Sequence, residues 1–500
     1  MSGNDLLVII LISLLIVILP AIGLYKLFAK AGIESWKALV PYYNTWEITK
    51  VTGIKKHWFF WQFIPIVGWF ISLWLLIEFV KLFGKFSLLS HGLTALVPFL
   101  YLPYLGYSAN EKFIGLAAAR KHRKSGTREW IDAAVFAIIA ATLIRGFIFE
   151  AYTIPTSSME KTLLVNDFLF VSKFSYGPRV PNTPLAVPFV HHTLPFFNTK
   201  SYSELIHIPY RRWFASPVKR NDVVVFNFPA GDTLTAEYDS KTPYYDLVRA
   251  LGRDRVWNEF TIKTRPVDKR ENYIKRCVAI PGDTLTIKDG LLYVNGAPAF
   301  VSPTSSTYYN VTTNNVVWTE DQLLEAGVRL NLEAESPDFM PASGFNYRIN
   351  LTLSELELVK KIPGFKSAER EIINTGDVYP YDTVAGHWSM DNFGPLWVPQ
   401  KGATIQLTPA NIALYERCIH VYEGNEFEVK GGKAYINGQP ATEYTFKMDY
   451  FWMMGDNRHK SQDSRFWGFV PEDHIVGEAS LIWMSWEKGV RWNRLFNTIH

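Results

Sequence analysis

The strongest constraint on this chain is where its apolar residues sit. Long stretches of Leu, Ile, Phe and Trp run without a charge through the first 150 residues, whereas the remainder mixes apolar and polar segments punctuated by Gly, Pro and Asn. Leu6 to Tyr25 is an uncharged stretch of about twenty residues, enough to cross roughly 30 Å of hydrocarbon as a helix. A cleavable leader opens on basic residues and closes on small ones. This chain opens Met-Ser-Gly-Asn-Asp, so the segment reads as a permanent anchor. A second uncharged run, His57 to Ile77, carries Trp58, Trp61, Trp69 and Trp74, and a third, Phe86 to Tyr107, is interrupted by Pro98 and Pro103. A fourth runs from Trp130 to Phe149, with Asp132 and Arg145 near its ends, where a long arginine reaches the interface. Four crossings are expected, three if the proline-interrupted run does not span.

Positive charge orients these segments. Lys26, Lys30, Lys37, Lys50, Lys55 and Lys56 lie between the first two, and Arg120, Lys121, Arg123, Lys124 and Arg128 between the third and fourth, so those loops are expected in the cytoplasm. Everything after Glu150 is then extracytoplasmic. A formal net charge of +4 on 500 residues, with no basic run interleaved with aromatics, does not suit nucleic acid. Two cysteines make no disulfide framework, His191 and His192 are adjacent, and no HExxH occurs, so no metal and no cofactor are expected.

Beyond Glu150, short runs such as Asp222–Phe226, Thr284–Ile287 and Leu291–Val294 alternate with Gly, Pro, Asn and Asp turns. The fold class expected is an N-terminal α-helical transmembrane region followed by a mostly-β extracytoplasmic domain, with short helices at Glu320–Ala326 and Leu353–Lys361. Two stretches repeat each other: Arg276-Cys277 followed by Lys288–Ala299, and Arg417-Cys418 followed by Lys430–Ala441, each with an Asn-Gly turn. A duplicated hairpin unit follows, with the two cysteines at equivalent strand positions and a disulfide between them left open. Lys275 precedes the first Arg-Cys and Glu416 the second, so the second copy keeps the scaffold and lacks the lysine. The expected layout is a multi-span membrane region over 1–129, a last span over 130–150, a β-domain over 151–290 and 446–500, and an inserted β-rich region with the repeated hairpin over 291–445. Ser302–Pro409 carries no legible motif.

Three stretches stand out together: Ile154-Pro-Thr-Ser-Ser-Met159 with Thr162-Leu163 and Asp167; Tyr273-Ile-Lys-Arg276 with Pro281-Gly-Asp283; and Gly455-Asp-Asn-Arg458 with Ser461, Asp463-Ser-Arg465 and Trp467–Pro471. In order and type they resemble the characteristic boxes of bacterial signal peptidase I, a serine endopeptidase with a Ser/Lys dyad, with Asp222–Phe226 as the intervening strand. The resemblance implies removal of signal peptides from exported preproteins at the outer face of the cytoplasmic membrane, with signal peptides and the lipid bilayer as partners. It makes Ser158 the nucleophile, Lys275 the general base and Ser461 the hydroxyl that orients the base. The Ser158 N–H and the Thr156 hydroxyl form the oxyanion hole, Asp463 and Arg465 a buried ion pair, and Asp456 and Asn457 supporting turn residues. Tyr152, Ile154, Met159 and Ile274 line shallow pockets that suit Ala-X-Ala before the cut.

The chemistry stands on its own terms: a serine hydroxyl attacks only when a positioned base takes its proton, and a neutral lysine is such a base. Lysine titrates near 10.4, so burial must remove roughly 3 to 5 kcal/mol of preference for its charged form. On residues alone, a lone strand lysine is ordinarily a solvated side chain. Three departures from the family pattern occur: Lys161 where proline is frequent, Asn166 where glycine is frequent, and His459 for an acidic residue, the last expected to alter a surface contact. Ser158-Met-Glu-Lys161 also reads as S-x-x-K of the β-lactamase and penicillin-binding type, but Ser-Asp-Asn and Lys-Thr-Gly are absent. A non-catalytic, membrane-anchored binding module leaves the three boxes unexplained. Asn310-Val-Thr312 and Asn350-Leu-Thr352 fit glycosylation acceptors and carry no assigned role. Ser158 lies 8 residues past Glu150 (158 − 150 = 8), within roughly 28 Å of the expected span's end even when fully extended.

Overall fold

The structure is a computed structural model that describes residues 18–63, 67–122, 125–239, 242–332, 336–374, 377–382 and 387–499. The chain separates into two compact units, Met1–Leu143 and Ile144–His500.

The described part of the first unit is helical. Of the expected first span, residues 6–17 lie outside the described residues, and the remainder begins the helix Leu19–Lys30, with proline in its first turn. That helix packs on Pro98–Tyr107. Glycines permit the contact: a Cβ on Gly23 would fall 2.4 Å from the Leu102 carbonyl carbon, and one on Gly106 would fall 2.7 Å from Gly23 O. Leu24, Leu27, Phe28, Ile48, Leu75 and Phe79 are buried in the core of this unit. The second expected span is helical over His57–Phe60 and Val67–Lys81, with 64–66 outside the described residues. The third differs from a straight crossing, because Leu88–Leu96 and Pro98–Tyr107 meet at a 117° bend. Pro98 disfavours helical dihedrals at the residue before it, and Val97 sits at φ −134°, ψ 51°. Among the described residues, Gly126–Phe147 is the helix long and apolar enough to cross a membrane, and the bent pair would add a second if it forms one span.

The second unit is mostly β. Its main sheet is ordered Phe149–Thr153, Asp167–Ser172, Ile475–Ser485, Val223–Asn227, Asn272–Ala279, Tyr450–Met454, Val470–Pro471, with every pairing antiparallel. Val223–Asn227 is buried along its whole length, as its unbroken apolar run requires of a central strand. Glu150 ties the first strand to the helix before it, accepting from Arg145 Nε at 2.6 Å and from Lys173 Nζ at 2.8 Å.

The two repeated stretches form two three-stranded meanders, one from Thr284–Lys288, Leu291–Val294 and Ala297–Pro298, the other from Phe427–Lys430, Lys433–Ile436 and Gln439–Ala441. Their turns match: Asp289-Gly290, Asn295-Gly296, Gly431-Gly432 and Asn437-Gly438 all have positive φ at both residues, as tight hairpins need. Asn295 Oδ1 accepts from Thr284 N, and Asn437 Oδ1 accepts from Glu426 N in the same way. The equivalence ends there. Cys277 lies on a strand, whereas Cys418 follows the helix Pro409–Arg417, so the two are not in equivalent strand positions, and both are free thiols. A dipeptide is too short to report the local structure around it.

Residues 302–374 form a lobe of their own, a sheet ordered Phe339–Pro341, Asn346–Thr352, Ser306–Thr313, Phe365–Arg370 over a core including Val311, Trp318, Leu323 and Ile349. The two short helices expected here are present as Glu320–Glu325 and Leu353–Val359. Each starts with a capping box, Thr319 with Gln322 and Thr352 with Glu355. The helices Tyr244–Leu251, Arg253–Glu259 and Pro409–Arg417 were not legible in the sequence.

Candidate active site

The strand Phe149–Thr153 leads straight into the turn that carries Ser158. Ile154 closes the base of the loop, its N–H donating to Asp167 O and its carbonyl accepting from Asn166 N, both at 2.9 Å. Ser157–Met159 is a single 3₁₀ turn entered from an extended, exposed Thr156. The loop then reverses through Lys161 at φ 71° and Asn166 at φ 64°. A proline ring is locked near −65° and has no access to the first of these, so the lysine accompanies a differently bent loop; asparagine tolerates the second.

Lys275 comes from the interior strand Asn272–Ala279 and meets the turn from below. Its Nζ lies 2.6 Å from Ser158 Oγ and 3.0 Å from Ile274 O. Lys275 is 3% exposed and Ser158 8%. Burial pushes the ammonium down from 10.5 to about 8, against the opposing pull of the Asp463 and Asp456 carboxylates. Gly455 seats the third box against the turn: a Cβ there would come 2.3 Å from Ser461 Oγ and 2.5 Å from Ser158 O. Asn457 N–H donates to Ser158 O at 3.1 Å, and its amide Nδ2 donates to Ser157 O at 3.0 Å. The Ser461 hydroxyl is buried and makes no hydrogen bond to Lys275, so the expected base-orienting contact is not made; it lies on the side of the Asp463 carboxylate. Asp463 and Arg465 form a buried bidentate pair at 2.9 and 2.8 Å. Burial alone would raise the Asp463 carboxyl, but the Arg465 charge and the Gly455 N–H hold it below its usual range.

Comparison with known proteins bears on the same three stretches. The family described as signal peptidase, peptidase S26, matches residues 127–327 and 439–486, which include Ser158, Lys275 and Ser461. The chain belongs to the signal peptidase S26 family. Signal peptidase I of Haemophilus influenzae is 25% identical over 461 residues, covering 87% of this chain and 98% of that protein. The signal peptidase I of Buchnera aphidicola from Acyrthosiphon pisum is 26% identical over 370 residues, covering 72% and 78%. Residues 36–116 match a family of unknown function.

Around the signal peptidase boxes the structure adds features that sequence reasoning missed. Asp456 is more than a turn residue. It receives Arg276 Nε at 2.9 Å and Arg276 Nη2 at 2.7 Å, forming a second buried bidentate pair, and it also accepts from Thr162 Oγ1 at 2.7 Å. The lysine of the S-x-x-K decoy is engaged elsewhere: Lys161 Nζ lies 2.5 Å from Glu355 Oε2 and 2.8 Å from Asn350 O, both in the inserted lobe. His459 makes no surface contact. Its side chain is buried, with Nε2 2.9 Å from Asp391 Oδ2, which corrects the expectation for that position. The lobe grips the same loop elsewhere, through Asn350 Nδ2 to Asn457 Oδ1 at 2.8 Å and Ser306 N to Asp456 O at 2.9 Å.

The four expected pocket residues divide. Ile154 and Met159 are packed into an apolar cluster with Leu163 and Val223, while Tyr152 and Ile274 are half-buried against Val171, Val225 and Val476. The Tyr152 hydroxyl donates to Glu150 Oε2 at 2.8 Å.

Proposed function

We infer that this chain is a serine endopeptidase that removes signal peptides from exported precursors, with Ser158 as nucleophile and Lys275 as general base. The observation that carries the assignment is the 2.6 Å approach of the Lys275 amine to the Ser158 hydroxyl, at a site where burial brings the amine down to about 8. A neutral Lys275 takes the Oγ proton as Ser158 attacks the scissile carbonyl. The Thr156 hydroxyl and the Ser158 N–H receive the negative charge that builds on the carbonyl oxygen. Lys275 passes its proton to the departing amine, then takes one from the water that hydrolyses the acyl-enzyme. Ser461, kept beside the turn by Gly455, would orient the amine only after its hydroxyl turns toward Nζ during this cycle. Asp463–Arg465 and Asp456–Arg276 keep the loop rigid.

The edge strand Phe149–Thr153 has Asp167–Ser172 as its sheet partner, so an extended substrate can add alongside it. Its small side chains before the cut would enter the shallow pockets of Tyr152, Ile154, Met159 and Ile274. The unit after Glu150 acts on the extracytoplasmic side of the cytoplasmic membrane, and the N-terminal unit anchors it as a multi-pass region. The short link from Glu150 to Ser158 favours substrates that arrive tethered by an apolar segment. The soluble unit divides into a catalytic part over 151–290 and 446–500 and the inserted region between them.

The test is precursor processing in cells with no other copy of the enzyme. Alanine at Ser158 or at Lys275 is expected to leave precursors uncut. Loss of processing with Lys161→Ala but not with Lys275→Ala would return the assignment to the S-x-x-K reading. Thr156→Val keeps the shape of the side chain and removes its donor, and is expected to lower kcat by about 10²- to 10³-fold with KM little changed. An unchanged kcat would move the oxyanion hole elsewhere.

A further inference from the structure

The proton path fixes which way a substrate must lie. Lys275 hands its proton to the nitrogen of the leaving residue, so that residue sits beside Nζ, while the acyl side lies against Ile154 and the edge strand. From Nζ the Tyr273 ring centroid is 5.7 Å away. Tyr273 stacks on Phe228 at 4.5 Å and meets Trp467 edge-on at 5.4 Å. Phe228 and Trp467 are in turn the near wall of a cleft of about 630 Å³, large enough for a short peptide segment. On the other flank Gln462, the residue after Ser461, is exposed and lines the same cleft. The cleft therefore lies next to the dyad on both flanks, one aromatic layer from Lys275 through Tyr273 and one residue from Ser461 through Gln462.

Its far wall is built from the helices Tyr244–Leu251, Arg253–Glu259 and Pro409–Arg417 and from Tyr381. The charges of two ion pairs along it satisfy one another, one pair largely enclosed and the other exposed. Arg417 pairs with Asp232 at 3.0 Å and Arg249 pairs with Asp246, while the Arg249 guanidinium lies 3.6 Å above the Tyr381 ring centroid. What remains for a ligand is aromatic surface, notably Trp257, which is 51% exposed. Arg253 and Glu416 stand exposed along the lining with opposite signs, so the cleft offers little net field.

We propose that this cleft receives the first residues downstream of the scissile bond, the start of the mature protein, and that it favours an aromatic side chain among them over glycine or serine. The proposal rests on the endopeptidase reading above and names a specificity of the same site. Aromatic contacts made along the leaving segment add to substrate binding without touching the dyad.

The experiment compares two peptides that share one Ala-X-Ala acyl side and differ only in the four residues after the cut, one set carrying Phe and Tyr, the other Gly and Ser. The full-length enzyme in detergent is expected to prefer the first by about tenfold in kcat/KM, mostly through KM. Trp257→Ala removes the aromatic face and Ala413→Trp fills the cleft; each is expected to bring the ratio toward one. Both peptides meet the same preparation, so the ratio does not depend on how much of a variant is folded. A ratio that neither variant moves overturns the proposal alone, as does a change confined to acyl-side preference. A wild type that cleaves neither peptide overturns the endopeptidase reading and this proposal with it.

Discussion

A Lys275→Met chain is expected to lose peptide hydrolysis by about ten-thousand-fold and, below pH 8, to be more stable than the parent. Both effects have one cause. The amine is useful because burial holds it at about 8, and that same burial taxes the folded state whenever the amine is protonated. The drop from 10.5 to about 8 corresponds to about 3 kcal/mol. The sign follows from proton counting: between pH 8 and 10.5 the unfolded chain holds the proton and the folded chain has released it, so stability rises with pH across that window. Below 8 both states are protonated and the full penalty applies. Denaturation at pH 7 should therefore show the methionine variant stabilised by up to about 3 kcal/mol, the gap closing as the pH approaches 10.5. Activity depends on the neutral amine, so kcat/KM should climb with pH and level off above about 8. Glu160, a carboxyl that burial and Asp338 push up to about 7, titrates nearby, and a Glu160→Gln chain isolates the lysine limb. A variant no more stable than the parent at pH 7 would mean that Lys275 is not held in a desolvated site.

The second large effect is expected from splitting the pair beneath the Ser158 turn. Arg276 and Asp456 are 1% and 0% exposed and joined by two hydrogen bonds. Asp456→Ala takes the carboxylate from a buried guanidinium that keeps Asn221 O as an acceptor, at a cost of about 3 to 5 kcal/mol. The Asp456 N–H also lies 3.4 Å from Met159 Sδ, and its carboxylate receives Thr162. The turn holding Ser158 should therefore loosen, lowering kcat beyond the loss of folded material. Exchanging both partners for apolar residues, Arg276→Met with Asp456→Leu, removes the stranded charge and should destabilise less than Asp456→Ala alone. Chemical denaturation of the three chains decides this. Additive losses would mean the two side chains do not act as a pair.

The sequence pointed to the pair Ser158 and Lys275, which the structure brings within 2.6 Å, better than to the groups that support it. Ser158 and Lys275 were legible because three separate boxes pointed to one site, and the meanders because Asn-Gly turns recur at matched positions. The partner of Arg276 was not legible: Asp456 lies 180 residues away, and an Asp-Asn pair after glycine reads locally as a turn. Lys161 and Glu355 are 194 residues apart, and the glutamate belongs to a stretch with no motif. Cys418 was misplaced because Arg-Cys carries no information about helix or strand, and periodicity over Pro409–Arg417 is too brief to announce a helix. The bend in the third apolar run follows from Pro98, yet composition alone does not say how far a chain turns there.

The lobe formed by residues 302–374 has a consequence for how such an enzyme tolerates change. Lys161 is bent back on itself three residues past Ser158, and its charge is met by Glu355 from that lobe. Excising the lobe would therefore do more than shorten the protein. It would leave an ammonium facing an emptied interior and free the reversal that follows Ser158, so what looks like an ornament on the β-domain is expected to act as a keystone, with mutations inside it felt at the Ser158 turn.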